Sequence, residues 1–312
     1  MSELSFGSTY KKNGLSLFLA LVGGQIAPEK RWRSLSCRSK FLLRSLATPV
    51  SSWQHMQHIA SLAPMQNIIA VQPTLPDKIH RPYLHLGLSV EQRVAALHYH
   101  YQFVDALQNS DLRRGMFSPS PFKLVSFTGK NGENLCIELR CNGRCDREGE
   151  VNLIMACEGV IVGLMTFAIT EKEGQPQLII GGLQGACRDT PHDFIRHTTK
   201  ICHGLFPKRL LLDVMLLLAN AMGIKRICAV RDTGHVFYSI RYRFKKKALF
   251  HACYDEFWES VSGNPESRHL YTLPLTLPRK PLEEIASKKR AEYRRRYELI
   301  DQIQQQFSSR FH

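Results

Sequence analysis

The sequence predicts an α+β fold: a mixed, mainly antiparallel sheet with one strand-helix-strand unit in its core and a helical extension before it. Three observations predict it. Strand-like runs from Phe122 to Ile180 follow one another with turn residues between them. The segment Lys208 to Met222 (KRLLLDVMLLLANAM) is apolar nearly all round and so reads as a buried helix between two strands. Residues 1–86 read as helical and basic.

In chain order, Lys11 and Lys12 precede the apolar run Leu15 to Val22, the order found in a signal peptide, but Gly24 to Ala27 offers no clean cleavage site. This stretch reads as an uncleaved amphipathic or membrane-leaning helix rather than a cleaved signal. A further helix is expected to start at Pro28. After the cap signal Ser51-Ser52, Trp53, Met56, Ile59 and Ala63 fall at helical spacing. Pro73, Pro76 and Pro82 mark a connecting loop. Ser89 to Gln92 resembles a capping box, and Val90, Val94, Leu97, Tyr101 and Val104 line one face of the helix that follows.

After Gly115 and the turn Ser118 to Pro121, the strands are Phe122 to Thr128, Leu135 to Cys141, Val151 to Cys157, Val160 to Thr170 and Gln177 to Ile180. Asn142-Gly143 and Glu158-Gly159 serve as tight turns, with Cys145 and Asp146 near a hairpin tip. Gly181 to Ala186 (GGLQGA) is expected to break the last strand. A short helix over Phe194 to His203, the buried helix after Pro207 with Gly223 as its cap, and the strand Ile224 to Val230 complete the unit. The predicted organisation is a basic helical extension over 1–86, an α+β core over 87–282 and a basic C-terminal helix over 283–312.

Forty-two Lys and Arg against 27 Asp and Glu give a net charge of +15, which favours acidic partners. Nine cysteines, scattered and odd in number, suit a reducing compartment, so the expected location is cytoplasmic or peripheral to the inner membrane. Two basic clusters are candidate contacts for an anionic partner. One is Arg241, Arg243, Lys245, Lys246 and Lys247; the other is Lys288, Lys289, Arg294 and Arg295 on the C-terminal helix. Each also reads as an ordinary solvated face. No nucleic-acid-reading motif accompanies them, so nucleic acid ranks last among partners. Cys136, Cys141 and Cys145 lack a second ligand pair, and His55, His58, His98 and His100 read as packed or surface histidines, so no metal site is expected.

The unit from Gln177 to Val230 resembles the core of the Gcn-five-related N-acetyltransferase superfamily. The resemblance implies that Gly182, Gly185, Gly204 and Lys208 would hold an acyl-coenzyme A or an acyl carrier, with the pyrophosphate at the start of the buried helix. The loop His203 to Lys208 departs from that pattern, with one glycine and a proline that removes an amide. Candidate proton-transfer residues are His235, Tyr254 and Glu256, which follow the second strand; His251 and Asp255 share that region, and Tyr254 also reads as a core aromatic.

Gly181 to Ala186, His203 to Lys208, Tyr254 to Trp258 and Lys288 to Tyr297 together resemble the VirK/YbjX family of Gram-negative bacteria, over about Trp32 to Ile303. The resemblance implies a virulence-associated role at the envelope: support for surface display of an outer-membrane virulence protein and resistance to cationic peptides. Three hypotheses result: first an accessory factor meeting envelope clients or anionic inner-membrane lipid, then an acyltransferase acting on an envelope protein or lipid precursor, and last, on charge alone, a nucleic-acid-binding protein. The sequence leaves open whether a reaction is catalysed, and the oligomeric state.

Overall fold

The computed structural model describes residues 13–27, 30–61, 69, 71–187, 189–239 and 254–311. Strands β1 (Phe122–Thr128), β2 (Asn134–Arg140), β3 (Val151–Cys157), β4 (Val160–Lys172) and β5 (Gln175–Gly185) form an antiparallel meander. β6 (Ile227–Val230) then joins β5 in parallel, and β7 (Asn264–Pro265) and β8 (Leu270–Leu273) close an eight-stranded sheet of order β1-β2-β3-β4-β5-β6-β8-β7. The fold is α+β, as the turn chemistry and the buried helix predict.

Helices cover both faces. Before the sheet come α1 (Gly14–Gly23), α2 (Lys30–Arg33), α3 (Leu35–Ala47), α4 (Pro49–Ser61), α5 (Val90–Asp105) and α6 (Ser110–Phe117). α7 (His192–Ile201) and α8 (Pro207–Ala221) make the crossover from β5 to β6, and α9 (Tyr254–Ser260) and α10 (Ser287–Phe311) follow. Side chains alternate across the sheet as period two requires. Phe167, Ile169, Leu178 and Ile180 meet α8 and α10, whereas Ala168, Ile179 and Cys228 meet the helices that precede the sheet.

Local chemistry accounts for the boundaries. The predicted capping box starts α5, with the Ser89 hydroxyl accepting from the Gln92 amide and the Gln92 side chain accepting from the Ser89 amide. α8 starts at Pro207, and its end is closed by the Ile224 amide on the Ala219 carbonyl at 2.9 Å. That bond keeps Ile224 out of the strand it is predicted to begin. α1 ends in a left-handed Gly24 and buries Leu17, Ala20 and Leu21 among its neighbours.

Three expectations are corrected. Gly181 and Gly182 do not break β5. Thr166 pairs with Gly182 and Phe167 with Ile180, so Gly181 is a bulge that shifts the alternation by one, and the strand runs on to Gly185. Asn142-Gly143 is not a tight turn: the connection of the β2–β3 hairpin runs over residues 141–150, with Cys145 and Asp146 midway, and it folds back onto the sheet, where Glu148, Gly149 and Glu150 are buried. Trp53 does not share the buried face of Met56 and Ile59 but is 47% exposed, and Ala63 lies outside the described residues.

Lys78, in the segment before α5, and Glu150, beside β3, are paired where the helices that precede the sheet meet it. Their charges meet at 2.7 Å with neither side chain exposed, and Gln72 and Tyr101 complete the hydrogen bonding. Such a pair adds little net stability, yet leaving either partner alone is costly.

Candidate functional site

β5 and β6 pair only from Leu178 to Ile180 against Ile227 to Ala229. Beyond the Gly181 bulge, β5 continues beside β4 and leaves β6. The wedge between the parting strands is where side chains from three other segments converge.

The first is the returning loop. The Glu148 carboxylate sits over Gly182, and a Cβ at Gly181 or Gly182 would collide with Glu148, which is why this part of β5 is glycine. Gln184, turned to the same side by the bulge, donates to both Glu148 oxygens at 3.2 and 3.1 Å and to Cys145 Sγ at 3.1 Å.

The second is the turn after β6. It carries His235, fully buried, whose Nε2 lies 3.3 Å from Glu148 Oε1. The Phe237 amide donates to His235 Nδ1 at 3.3 Å, so a neutral ring carries its proton on Nε2, facing the carboxylate.

The third is the start of α9. The Tyr254 hydroxyl accepts from the Leu183 amide at 3.1 Å, and its ring meets the His235 ring edge-on. Asp232 and Asp255 tie the turn after β6 to the start of α9, with the Tyr254 amide on Asp232 and the Asp232 amide on Asp255, each at 2.8 Å.

Electrostatics divides the roles. Burial, and then Glu148, raises the Tyr254 phenol well above its ordinary range, so it stays a proton donor. Burial and Glu148 also push the Cys145 thiol up to about 12, which removes it as a resting nucleophile.

The sequence-predicted residues divide accordingly. His235, Tyr254 and Gly182 come together, and Gly185 ends β5 with open space beside it. Glu256 is exposed on α9. Arg241, Arg243, Lys245, Lys246, Lys247 and His251 lie outside the described residues. Sequence reasoning missed Glu148 altogether. Its only signal is Glu148-Gly149-Glu150 placed directly before a fully buried strand, an unusual entry for two carboxylates.

The loop before α8 packs over β4 on the face of the sheet opposite Glu148: a Cβ on Gly163, which shares the side of Met165 and Leu183, would lie 3.5 Å from Pro207. Its donors are largely committed. The amides of Gly204, Leu205, Arg209 and Leu210 all donate to backbone carbonyls. Gly204 is left-handed and pressed by Arg296 and Glu292, and Arg296 donates to the His203 carbonyl at 3.1 and 3.0 Å. Lys208 is half-buried on the first turn of α8. Burial, then Arg295 and Lys130, lowers the His203 pKa, which places cations about the loop. On α10, Lys288, Lys289, Arg294 and Arg295 are exposed, and among the described residues none of them is in an ion pair.

Elsewhere, a groove of about 540 Å³ runs between α8, α10 and residues 275–279; of its charged lining residues Arg209 pairs with Asp213 and Arg279 with Asp301 beside the groove, and Lys225 lines it as well. Among the described residues no cluster of three or more His, Cys, Asp or Glu is placed to hold a metal ion. No described helix is long and apolar enough to cross a membrane.

The family model described as "Protein of unknown function (DUF535)" matches residues 30–309. The chain is 40% identical to the uncharacterized protein YbjX of Escherichia coli K12 over 312 residues, covering all of this chain and 94% of that protein. This chain belongs to the VirK/YbjX (DUF535) family. An uncharacterized Haemophilus influenzae protein is 38% identical over 128 residues, 41% of this chain and 42% of its own length, and a second is 31% identical over 143 residues, 46% and 45%. The DUF535 match thus covers the helical layer from α2 onward, the wedge and α10 alike.

Proposed function

We propose that this protein transfers an acyl group from a donor held on an acidic carrier protein to an amine or hydroxyl of an envelope component. The observation that carries the proposal is the buried Glu148 carboxylate set beside His235 and Tyr254 where β5 leaves β6. A carboxylate in that position is expensive for stability alone and useful for proton transfer.

In this reading Glu148 takes the proton from the acceptor as its nitrogen or oxygen bonds to the acyl carbon. The thioester C–S bond breaks, and Tyr254 gives its proton to the departing sulfur. His235 positions Glu148. With the Cys145 thiol held protonated, transfer is direct and forms no acyl-enzyme at that residue.

A carrier-bound donor fits better than free coenzyme A because the amides at the start of α8 are largely committed. Side-chain cations remain: Lys130 and Arg295 near His203, and Lys288, Lys289 and Arg294 along α10. They suit the acidic surface of a carrier protein.

A second reading is a non-catalytic accessory factor that supports surface display of an outer-membrane virulence protein and resistance to cationic peptides, holding clients on α10. The committed amides and the almost complete burial of Glu148, His235 and Tyr254 favour it. Incubation with acyl-loaded carrier protein and envelope extract, read by mass spectrometry, separates the two. Acylated product that disappears in Glu148→Gln supports transfer, and client capture without product supports the accessory role.

A further inference from the structure

Eleven large apolar side chains are exposed among the described residues, and seven of them fall between Leu15 and Trp53. Leu15 and Leu19 stand one turn apart on α1. Leu35, Leu43 and Leu46 share one face of α3, within an arc of roughly 80° at 3.6 residues per turn. Val50 and Trp53 follow on α4. Each is between 47% and 72% exposed although the three helices pack against one another. This concentration exceeds the scattered exposure normal for a soluble surface.

The charge around these residues is of one sign. From Lys30 to Ser61 there is no Asp or Glu. Lys30, Arg33 and Lys40 are exposed, and among the described residues none of them is in an ion pair. Arg31, by contrast, is paired with Asp77. An apolar face edged with uncompensated cations matches a bilayer containing anionic lipid, in which the leucines enter the acyl boundary and the cations meet headgroups. A second copy of this chain is a poor match, because a two-fold contact would set the same cations against each other. Tryptophan at the edge of such a face is typical of the headgroup level.

We infer that the exposed face of α1, α3 and α4 is a docking surface for an anionic lipid bilayer, entered by Leu43, Leu46, Val50 and Trp53 and held by Lys30, Arg33 and Lys40. The helices lie on the membrane and do not cross it. This surface is distinct from the wedge, so it stands or falls apart from the acyl-transfer reading.

Trp53 gives a direct test, because the other two tryptophans, Trp32 and Trp258, are fully buried. The full-length protein is mixed with phosphatidylcholine vesicles, with or without phosphatidylglycerol. The expected result is a blue shift of emission and quenching by brominated acyl chains only with phosphatidylglycerol. Leu43→Glu with Leu46→Glu should weaken vesicle sedimentation at least about tenfold. Both sites are exposed, so an unchanged melting temperature is expected. Trp53→Phe should remove the shift while sedimentation persists. Three outcomes would overturn the inference: no shift with either vesicle; sedimentation that survives the double variant but is lost on charge reversal of α10; or a dimer without vesicles that the double variant dissolves.

Discussion

Glu148 Oε1 stands 3.3 Å from His235 Nε2, with essentially no solvent on either side chain. If Glu148 is the proton acceptor, Glu148→Gln keeps the shape and one of the two oxygens that accept from Gln184, and removes the basicity. The expected outcome is a loss of transfer on the order of 10²- to 10⁴-fold with little change in unfolding temperature. Single-turnover assays with loaded carrier read this directly; retention of full rate removes Glu148 from the chemistry.

Gly182 is the other half of that arrangement. A methyl group there meets the Glu148 carboxylate, so Gly182→Ala is expected to destabilise by about 1–3 kcal/mol through overpacking. Gly132, with nothing near its missing Cβ but a left-handed backbone, supplies a contrast: its cost comes from conformation alone. Pairing Gly182→Ala with Glu148→Ala should recover part of the loss, measurable by urea unfolding.

Lys78→Met leaves the buried Glu150 carboxyl with the Tyr101 hydroxyl but without its cation. A loss of about 3–5 kcal/mol is expected, and the double change Lys78→Met with Glu150→Leu should cost much less. Equal losses in the single and double variants would mean that packing, not charge, sets the penalty.

Histidines predict the pH dependence. Burial lowers His55, His58 and His80 to about 4, and His98 and His100 to about 3. Folded pKa values below the unfolded value mean that the unfolded chain binds more protons between the two. Stability is therefore complete above about pH 6.5 and falls as pH drops toward 4. His100 Nδ1 also accepts the Ile169 amide at 3.1 Å, a bond that protonation there would break. Denaturant midpoints should fall between pH 7.5 and 5, and less steeply in His100→Asn; a flat profile contradicts neutral burial.

Charge reversal of Lys288, Lys289, Arg294 and Arg295 to Glu should abolish binding of an acidic carrier while leaving the melting temperature within about a degree, since these side chains are exposed. In the native protein that binding should weaken as salt rises. Carrier binding that survives the reversal would move the docking site elsewhere.

Much of the fold was legible because its signals are local. The Ser89 to Gln92 box, Pro207, and the turn residues between strands act on their own neighbours. The bulge at Gly181 was not legible, since glycines that end a strand and glycines that admit a carboxylate over it look alike in sequence. Glu148 was missed for a related reason: its place depends on a loop folding back onto strands 17 to 36 residues further along, as the Glu150 amide on the Phe167 carbonyl and the Gln184 to Glu148 contact show. His235 and Tyr254 were legible only as residues following a strand; the bonds that bring them together, from Asp232 and Asp255, carry no sequence pattern. Trp53 satisfied helical spacing and still points outward, because spacing defines a face but not what covers it.

Thermal unfolding of the full-length protein with acyl-loaded carrier protein, unloaded carrier and acyl-coenzyme A tests the central claim most directly. Saturation at about 100 times the dissociation constant adds roughly 2.7 kcal/mol. The account predicts a clear rise with loaded carrier, a smaller one with unloaded carrier and little with coenzyme A. No rise with any donor, at concentrations that saturate known carrier-dependent enzymes, would contradict it and leave the accessory role standing.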